Sequence, residues 1–334
     1  MQCCHVGSRA FRSAILALSL SVAAFSAGEA AAADKVTLQL DWTPGGISAA
    51  WYLGLEKGCF SDQGIDLTIV RGYGAADAVT KIASGVAEFG ITDLSVIIAS
   101  IGNTKAPVKA IMPVVMQSPA GLAVMDDSPI KTLKDLEGHS LASSNGNAAM
   151  QLLPLGLKQA GADLSKVKIV TADASTLNGL LLQGRADALA SYVTSTVGLQ
   201  AVASKVGKKV RSVGYGDTLD IYNASVFTSD AVLKDKPALA ARFVKAATCT
   251  YDLARKDPVA SIDAMVSRVE GMQKDSQTEI VPFAYSFAFN NKVFEKNGYR
   301  WDMARVAHNV DIVSESQPLK DKPKAEDVVA AVGD

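Results

Sequence analysis

The sequence predicts an α/β protein of two lobes, each a parallel-rich sheet flanked by helices, joined by a hinge that the chain crosses twice. Three observations carry this expectation. Short apolar runs alternate with helix-like segments, one helix–strand unit recurs further along the chain, and the 334 residues exceed what a single hydrophobic core usually holds.

The amino terminus is set apart first. Arg9 and Arg12, with no acid before Glu29, precede an apolar run over residues 14–25 and a small-residue stretch over 30–33. A basic start, an apolar segment shorter than the roughly 20 residues needed to span a bilayer, and an Ala31-x-Ala33 site read as a signal peptide over residues 1–33. The exported chain is expected to begin near Asp34 and to be soluble. It then carries 31 basic against 33 acidic residues, a balance with no electrostatic footprint for nucleic acid or an anionic membrane. Cys3 and Cys4 leave with the peptide, while Cys59 and Cys249 stay. Cys59 adjoins Phe60 and Cys249 lies in a helical-looking stretch, so two separate buried thiols are expected, with a disulfide as the alternative that an oxidising compartment permits.

Along the chain, strands are expected over residues 36–40, 66–70, 88–91 and 108–116, with helical spacing over 47–57, 75–84 and 94–101 between them. A second series follows from Leu141, with strands near 167–170, 188–191 and 210–213. The first lobe is expected to take residues 34–118 and 222–316, the second 119–221, with crossings near 117–121 and 215–223. Residues 237 onward read as mainly helical, since Pro237 suits a first helical turn. The polar stretch 317–334, with Pro318 and Pro323, is expected as a loosely held tail.

The repeat is the most informative internal feature. Residues 74–93 read as loop, helix ending at Gly85, then Ala87-Glu88 and a strand ending at Thr92-Asp93. Residues 173–192 read as loop, helix ending at Gly184, then Ala186-Asp187 and a strand ending at Ser191-Tyr192. Ligands in open α/β sheets bind beyond the carboxyl ends of strands, so two facing lobes would aim both strand ends at one cleft.

Catalytic chemistry has little to stand on. Beyond the leader only His139 and His308 occur, neither beside a metal-like spacing, and no G-x-S-x-G, H-E-x-x-H, P-loop or G-x-G-x-x-G pattern is present. Binding features are richer. Asp41-Trp42-Thr43-Pro44-Gly45-Gly46 follows the first strand, where Trp42 either offers a face for stacking or packs beneath its loop. Asn145 and Asn147 open a helix after another strand, placed either to meet a ligand or to cap that helix. Thr92, Asp93 and Tyr192 come from the repeated strand ends, Thr194 follows the second of them, and Tyr222 lies in the second crossing.

Leu40-Asp41-Trp42-Thr43-Pro44, Tyr52, Glu56-Lys57-Gly58-Cys59-Phe60, Gly64-Ile65-Asp66-Leu67, Ala87-Glu88-Phe89-Gly90-Ile91, Pro107-Val108 and Leu133-Lys134-Asp135-Leu136-Glu137-Gly138, in that order, resemble the thiamine-pyrimidine-precursor-binding group. That group sits within the wider family of ABC solute-binding proteins that also serves alkanesulfonates, taurine and nitrate. The resemblance implies a two-lobed periplasmic-binding-protein fold of the second type, a periplasmic monomer with no cofactor or metal, and delivery of a small-molecule ligand to a membrane permease. It also implies ligand-lining roles for Asp41 and Trp42, and for Asp77 after the glycine loop. The Asn and His that follow the family's Asp-Trp-x-Pro are replaced by Gly45 and Ser48, and no counterpart of the pyrimidine binders' glutamate occurs near Tyr192. Acids dominate the candidate loops (Asp41, Asp77, Asp93, Asp173, Asp220) against Arg71 and Lys131, which favours a neutral or cationic nitrogen-bearing ligand over an anion. The contrasting reading is an enzyme of thiamine-pyrimidine synthesis, but Ser48 stands where that branch has its His.

Overall fold

The computed structural model describes residues 32–333, so all but the end of the expected signal peptide lies outside the described residues. The first lobe starts with β1 (Asp34–Leu40), α1 (Ala49–Glu56), β2 (Ile65–Val70), α2 (Ala75–Ala83), β3 (Phe89–Asp93), α3 (Leu94–Thr104) and β4 (Val108–Pro113). The chain then crosses to build β5 (Ala120–Met125), β6 (Ser140–Ser143), α4 (Ala149–Gln159), β7 (Lys168–Thr171), α5 (Leu177–Leu182), β8 (Ala188–Tyr192), α6 (Val193–Lys205) and β9 (Val210–Gly214). It returns into β10 (Ala224–Ser229) and ends in α7 (Asp230–Asp235), α8 (Pro237–Ala254), α9 (Pro258–Val266), α10 (Ile280–Phe289), α11 (Lys292–Asn297), α12 (Met303–Ser316) and α13 (Ala325–Val328).

The two sheets share one plan. The first runs β2-β1-β3-β10-β4 and the second β7-β6-β8-β5-β9. In each, the strand that follows a crossing is the antiparallel one: β10 against β3 and β4, β5 against β8 and β9. The other ladders that join each sheet, β1 to β2 and β3, and β6 to β7 and β8, are parallel. The expected parallel-rich, two-crossing α/β fold is therefore present with one reversed strand per sheet. Central strands β3 and β10 are buried along their whole length, as apolar runs covered on both faces must be.

Local chemistry sets the helices. In α2 the buried residues Ala75, Ala78, Val79 and Ile82 fall at helical spacing and face the sheet. In α8 the same spacing buries Leu239, Phe243, Ala246, Ala247 and Tyr251, and Phe243 stacks on Phe89 of β3 at 3.9 Å between ring centres. The sequence repeat reappears in backbone bonds. After α2, Gly85 turns left-handed at φ 75° and Val86 N–H donates to Lys81 at 2.9 Å. After α5, Gly184 does so at φ 70° and Arg185 N–H donates to Leu180 at 2.8 Å. Glycine is needed at both, because a Cβ resists that region.

Three expectations are corrected. Cys59 and Cys249 are not separate thiols: they form a disulfide with Cα atoms 5.9 Å apart, pinning α8 to the loop after α1. Each cysteine looked self-sufficient in its own apolar surroundings, and the 190-residue separation hid the pairing. The stretch beyond Gln317 also packs: Val328 and Val329 are buried, and Ala330 N–H donates to the Ala110 carbonyl of β4 at 2.9 Å. β4 itself ends at Pro113, short of Met116, because Val114 and Val115 turn to share the Ala224 carbonyl.

Helix α12 ties the two crossings together. Arg305 donates to the Met116 carbonyl at 2.6 Å in the first crossing and pairs with Asp220 at 2.9 Å in the second. Asn309 bonds the backbone on both sides of Ile221, from Asp220 O to Tyr222 N.

Candidate functional site

β1 and β3 lie side by side, so their carboxyl ends deliver Asp41 and Asp93 to the same place. The loop after β1 is held open by backbone bonds: Gly72 N–H donates to the Trp42 carbonyl at 2.8 Å and Gly74 N–H to the Asp41 carbonyl at 2.9 Å. A side chain at Gly72 could not fit, since its Cβ would stand 2.1 Å from the Asp41 carbonyl carbon. Trp42 keeps 39 % of its surface exposed, so it does not pack beneath its loop. The aromatic packed in the core here is Trp51 of α1.

Burial raises the pKa of Asp41 to about 6, with the Thr92 hydroxyl and the loop amides opposing the rise. Asp93 is raised to about 7, first by burial and then by the neighbouring Asp41 charge, while Tyr192 and Asn223 lower it. Two carboxyls this close resist joint ionisation. From the second lobe, Tyr192 donates its hydroxyl to Asp93 Oδ2. That phenol keeps its proton, because burial and then the Asp93 and Asp41 charges raise its pKa well above the ordinary value. Asn223, in the second crossing and 4 % exposed, acts on both Asp93 and Tyr192. No Lys or Arg is among the groups acting on either carboxyl.

Two buried hydroxyls just past the strand ends have no hydrogen-bond partner: Ser95 in the first lobe and Ser144 in the second. A buried hydroxyl left unpaired costs about 1–3 kcal/mol, so these are groups that a ligand can satisfy.

The structure brings together Asp41, Thr92, Asp93 and Tyr192, with Trp42 on the same loop as Asp41. Asn145 is exposed, and its carbonyl lies 3.8 Å from where a Cβ on Gly74 would stand, so its loop faces the first lobe. Thr194 sits half-buried in the first turn of α6. Three other candidates are engaged elsewhere. Asp77 pairs with Lys81 on its own helix at 2.8 Å. Asn147 accepts from Ala149 N–H at 2.9 Å and donates to the Ala190 carbonyl at 3.2 Å, which uses its amide as a helix-start bracket. Tyr222 is 1 % exposed, its hydroxyl accepts from Asp302 N–H at 3.2 Å, and Trp301 and Arg305 cover its ring.

Sequence reasoning missed Ser95, Ser144 and Asn223. The repeat could have supplied the first, since the same offset that maps Asp93 onto Tyr192 maps Ser95 onto Thr194. Neither histidine joins the cluster: His139 lies beside Asp187 at 3.7 Å and His308 is exposed on α12. Among the described residues no group of three or more His, Cys, Asp or Glu side chains is placed to hold a metal ion. Nor is any described helix long and apolar enough to cross a membrane. Two surface hollows, one around Met125 and Lys208 and one around Ala307 and Lys324, lie away from these residues.

Two sheets of like topology, one reversed strand in each and a paired crossing between them define the periplasmic-binding-protein fold, and solved structures agree. The aliphatic sulphonate binding protein SsuA of Escherichia coli superposes with a TM-score of 0.69 at 15 % identity, over 89 % of this chain and 92 % of that one. A Candida albicans protein described as having the generic periplasmic binding protein fold gives 0.68 at 13 % identity, over 90 % and 97 %. The chain belongs to the NMT1/THI5-like family, whose model matches residues 47–261. A formylaminopyrimidine-binding protein of Halalkalibacterium halodurans is 23 % identical over 245 residues, 72 % of this chain and 73 % of that one.

Proposed function

We propose that the chain is the exported solute-binding component of an ABC importer, which encloses a small neutral or cationic, nitrogen-bearing and pyrimidine-like molecule between its lobes and hands it to a membrane permease. The pair of desolvated carboxyls, Asp41 and Asp93, carries this reading. An anion brought beside them would meet like charge with no cation to offset it, whereas N–H donors satisfy both acids. Trp42 supplies an aromatic face beside them, and the unpaired hydroxyls of Ser95 and Ser144 supply further polar contacts. The relative named for binding a formylaminopyrimidine supports this ligand class, and the disulfide supports export, because such bonds persist in oxidising compartments.

Binding rather than catalysis fits the side chains present. The described cysteines are joined to each other and neither described histidine reaches the carboxyl pair, so no thiol or imidazole is available there as nucleophile or base. Titration calorimetry of the mature chain with formylaminopyrimidine and with an alkanesulfonate tests the ligand class. Saturable binding of the pyrimidine alone is expected. Saturable binding of the sulfonate with none of the pyrimidine would overturn it, and would place an anion beside Asp93.

A further inference from the structure

The lobes meet where α12 packs on α4, with Ser316 Oγ donating to the Gln151 carbonyl and Gln317 Nε2 to Gln151 Oε1, both at 2.5 Å, and at other points besides. Tyr192 of β8 donates to Asp93 of β3. The loop carrying Asn145 and Gly146 comes so near the start of α2 that a Cβ on Gly74 would stand 3.8 Å from the Asn145 carbonyl oxygen. Ile280 of α10 presses on α6 so closely that a Cβ on Gly198 would stand 2.5 Å from its Cδ1. The Tyr192–Asp93 bond joins two side chains at the positions that the sequence repeat makes equivalent, ninety-nine residues apart.

Its surroundings tie it to the hinge. Asp93 pairs across the ladder with Ala224, the first residue of β10, and Tyr192 with Ala120, the first residue of β5. Both partners are thus the strand ends at which the crossings arrive. Asn223, whose side chain acts on both groups, is the last residue of the second crossing. Its backbone is fixed on two sides: its N–H donates to the Val115 carbonyl of the first crossing at 2.9 Å, and its carbonyl accepts from Leu94 N–H at the start of α3 at 3.0 Å. One polar cluster therefore holds a residue from each lobe and one from the hinge.

We propose that Asp93, Tyr192 and Asn223 form an inter-lobe latch that keeps a substantial share of the ligand-free protein closed. The Tyr192 hydroxyl occupies on Asp93 the place that a donor of the solute would take, so solute exchanges one donor for another. A desolvated carboxyl gives a strong bond to a donor that keeps its proton, and breaking it on opening leaves the acid to be resolvated or paired anew. The latch deepens the capture reading and rests on it for its purpose, but its test needs no solute, so failure of either is seen separately.

Small-angle scattering on the ligand-free mature protein is the test, with Tyr192→Phe and Asp93→Ala as variants. Tyr192→Phe keeps the ring and removes only the donor; Asp93→Ala removes the acceptor and a buried acid, and serves where the first variant does not fold. The wild type is expected to show the radius of gyration calculated from the closed structure, and either variant a larger one, with unchanged circular dichroism. A wild type already as expanded as the variants overturns the latch, as does a variant that stays as compact as the wild type, because closure is then held by the other contacts between the lobes.

Discussion

Raising the pH should weaken the fold through Asp93, and the size of the effect follows from its surroundings. In the unfolded chain this acid titrates at its ordinary value of 3.8; in the folded protein burial and the Asp41 charge raise it to about 7. Well below pH 3.8 both states hold the proton and the group is neutral in each. As pH rises the unfolded chain ionises first, so native stability falls steadily until pH passes 7 and then levels off. Between pH 4.5 and 7.5 this amounts to about 3 kcal/mol, at 1.36 kcal/mol per unit of differential titration. Asp41, raised to about 6, adds a loss of the same sign that is complete at lower pH. Urea unfolding of the wild type and Asp93→Asn at both pH values isolates the contribution, since asparagine does not titrate. The wild type should lose about 3 kcal/mol more than the variant across this interval. Equal pH dependence in the two proteins, or a wild type that gains on the variant as pH rises, would refute the buried-acid account.

Two further outcomes are expected. Trp42→Ala should weaken binding of the formylaminopyrimidine several-fold by calorimetry, since an aromatic contact is worth on the order of 1 kcal/mol beyond its area, while the melting temperature changes little because the side chain is 39 % exposed. Replacing both Cys59 and Cys249 by Ser should lower stability by about 5 kcal/mol on the chain-entropy account of a 190-residue loop, read as the gap between denaturation curves; superimposable curves would mean that the bond constrains nothing the fold had not already fixed.

What the sequence made legible was whatever repeats locally. Period and length mark the strands and helices, and the doubled unit puts Asp93 and Tyr192 at the ends of equivalent strands, which meet in the fold. Strand direction was not legible, because an apolar run such as 224–229 reads the same whether its neighbours run with it or against it. Tyr222 illustrates a second limit. Its place in a crossing suggested a ligand, yet its partners Asp302 and Asn309 lie 80 and 87 residues away and turn it into hinge packing. Asn147 and Asp77 show the opposite case: their partners are so near that capping and an i,i+4 pair compete with any distant role. Asn223 carried no local signal, since its importance arises only where both crossings meet.

The disulfide has a topological consequence. All five strands of the second sheet, together with β2, β3, β4 and β10 of the first, lie between Cys59 and Cys249, so the whole second lobe falls within a loop of chain that one covalent bond closes. The first lobe is composed of two stretches that the peptide backbone connects only through the second; the sulfur bridge gives them a direct connection of their own. A cut in any loop of the second lobe would therefore leave the first in one piece.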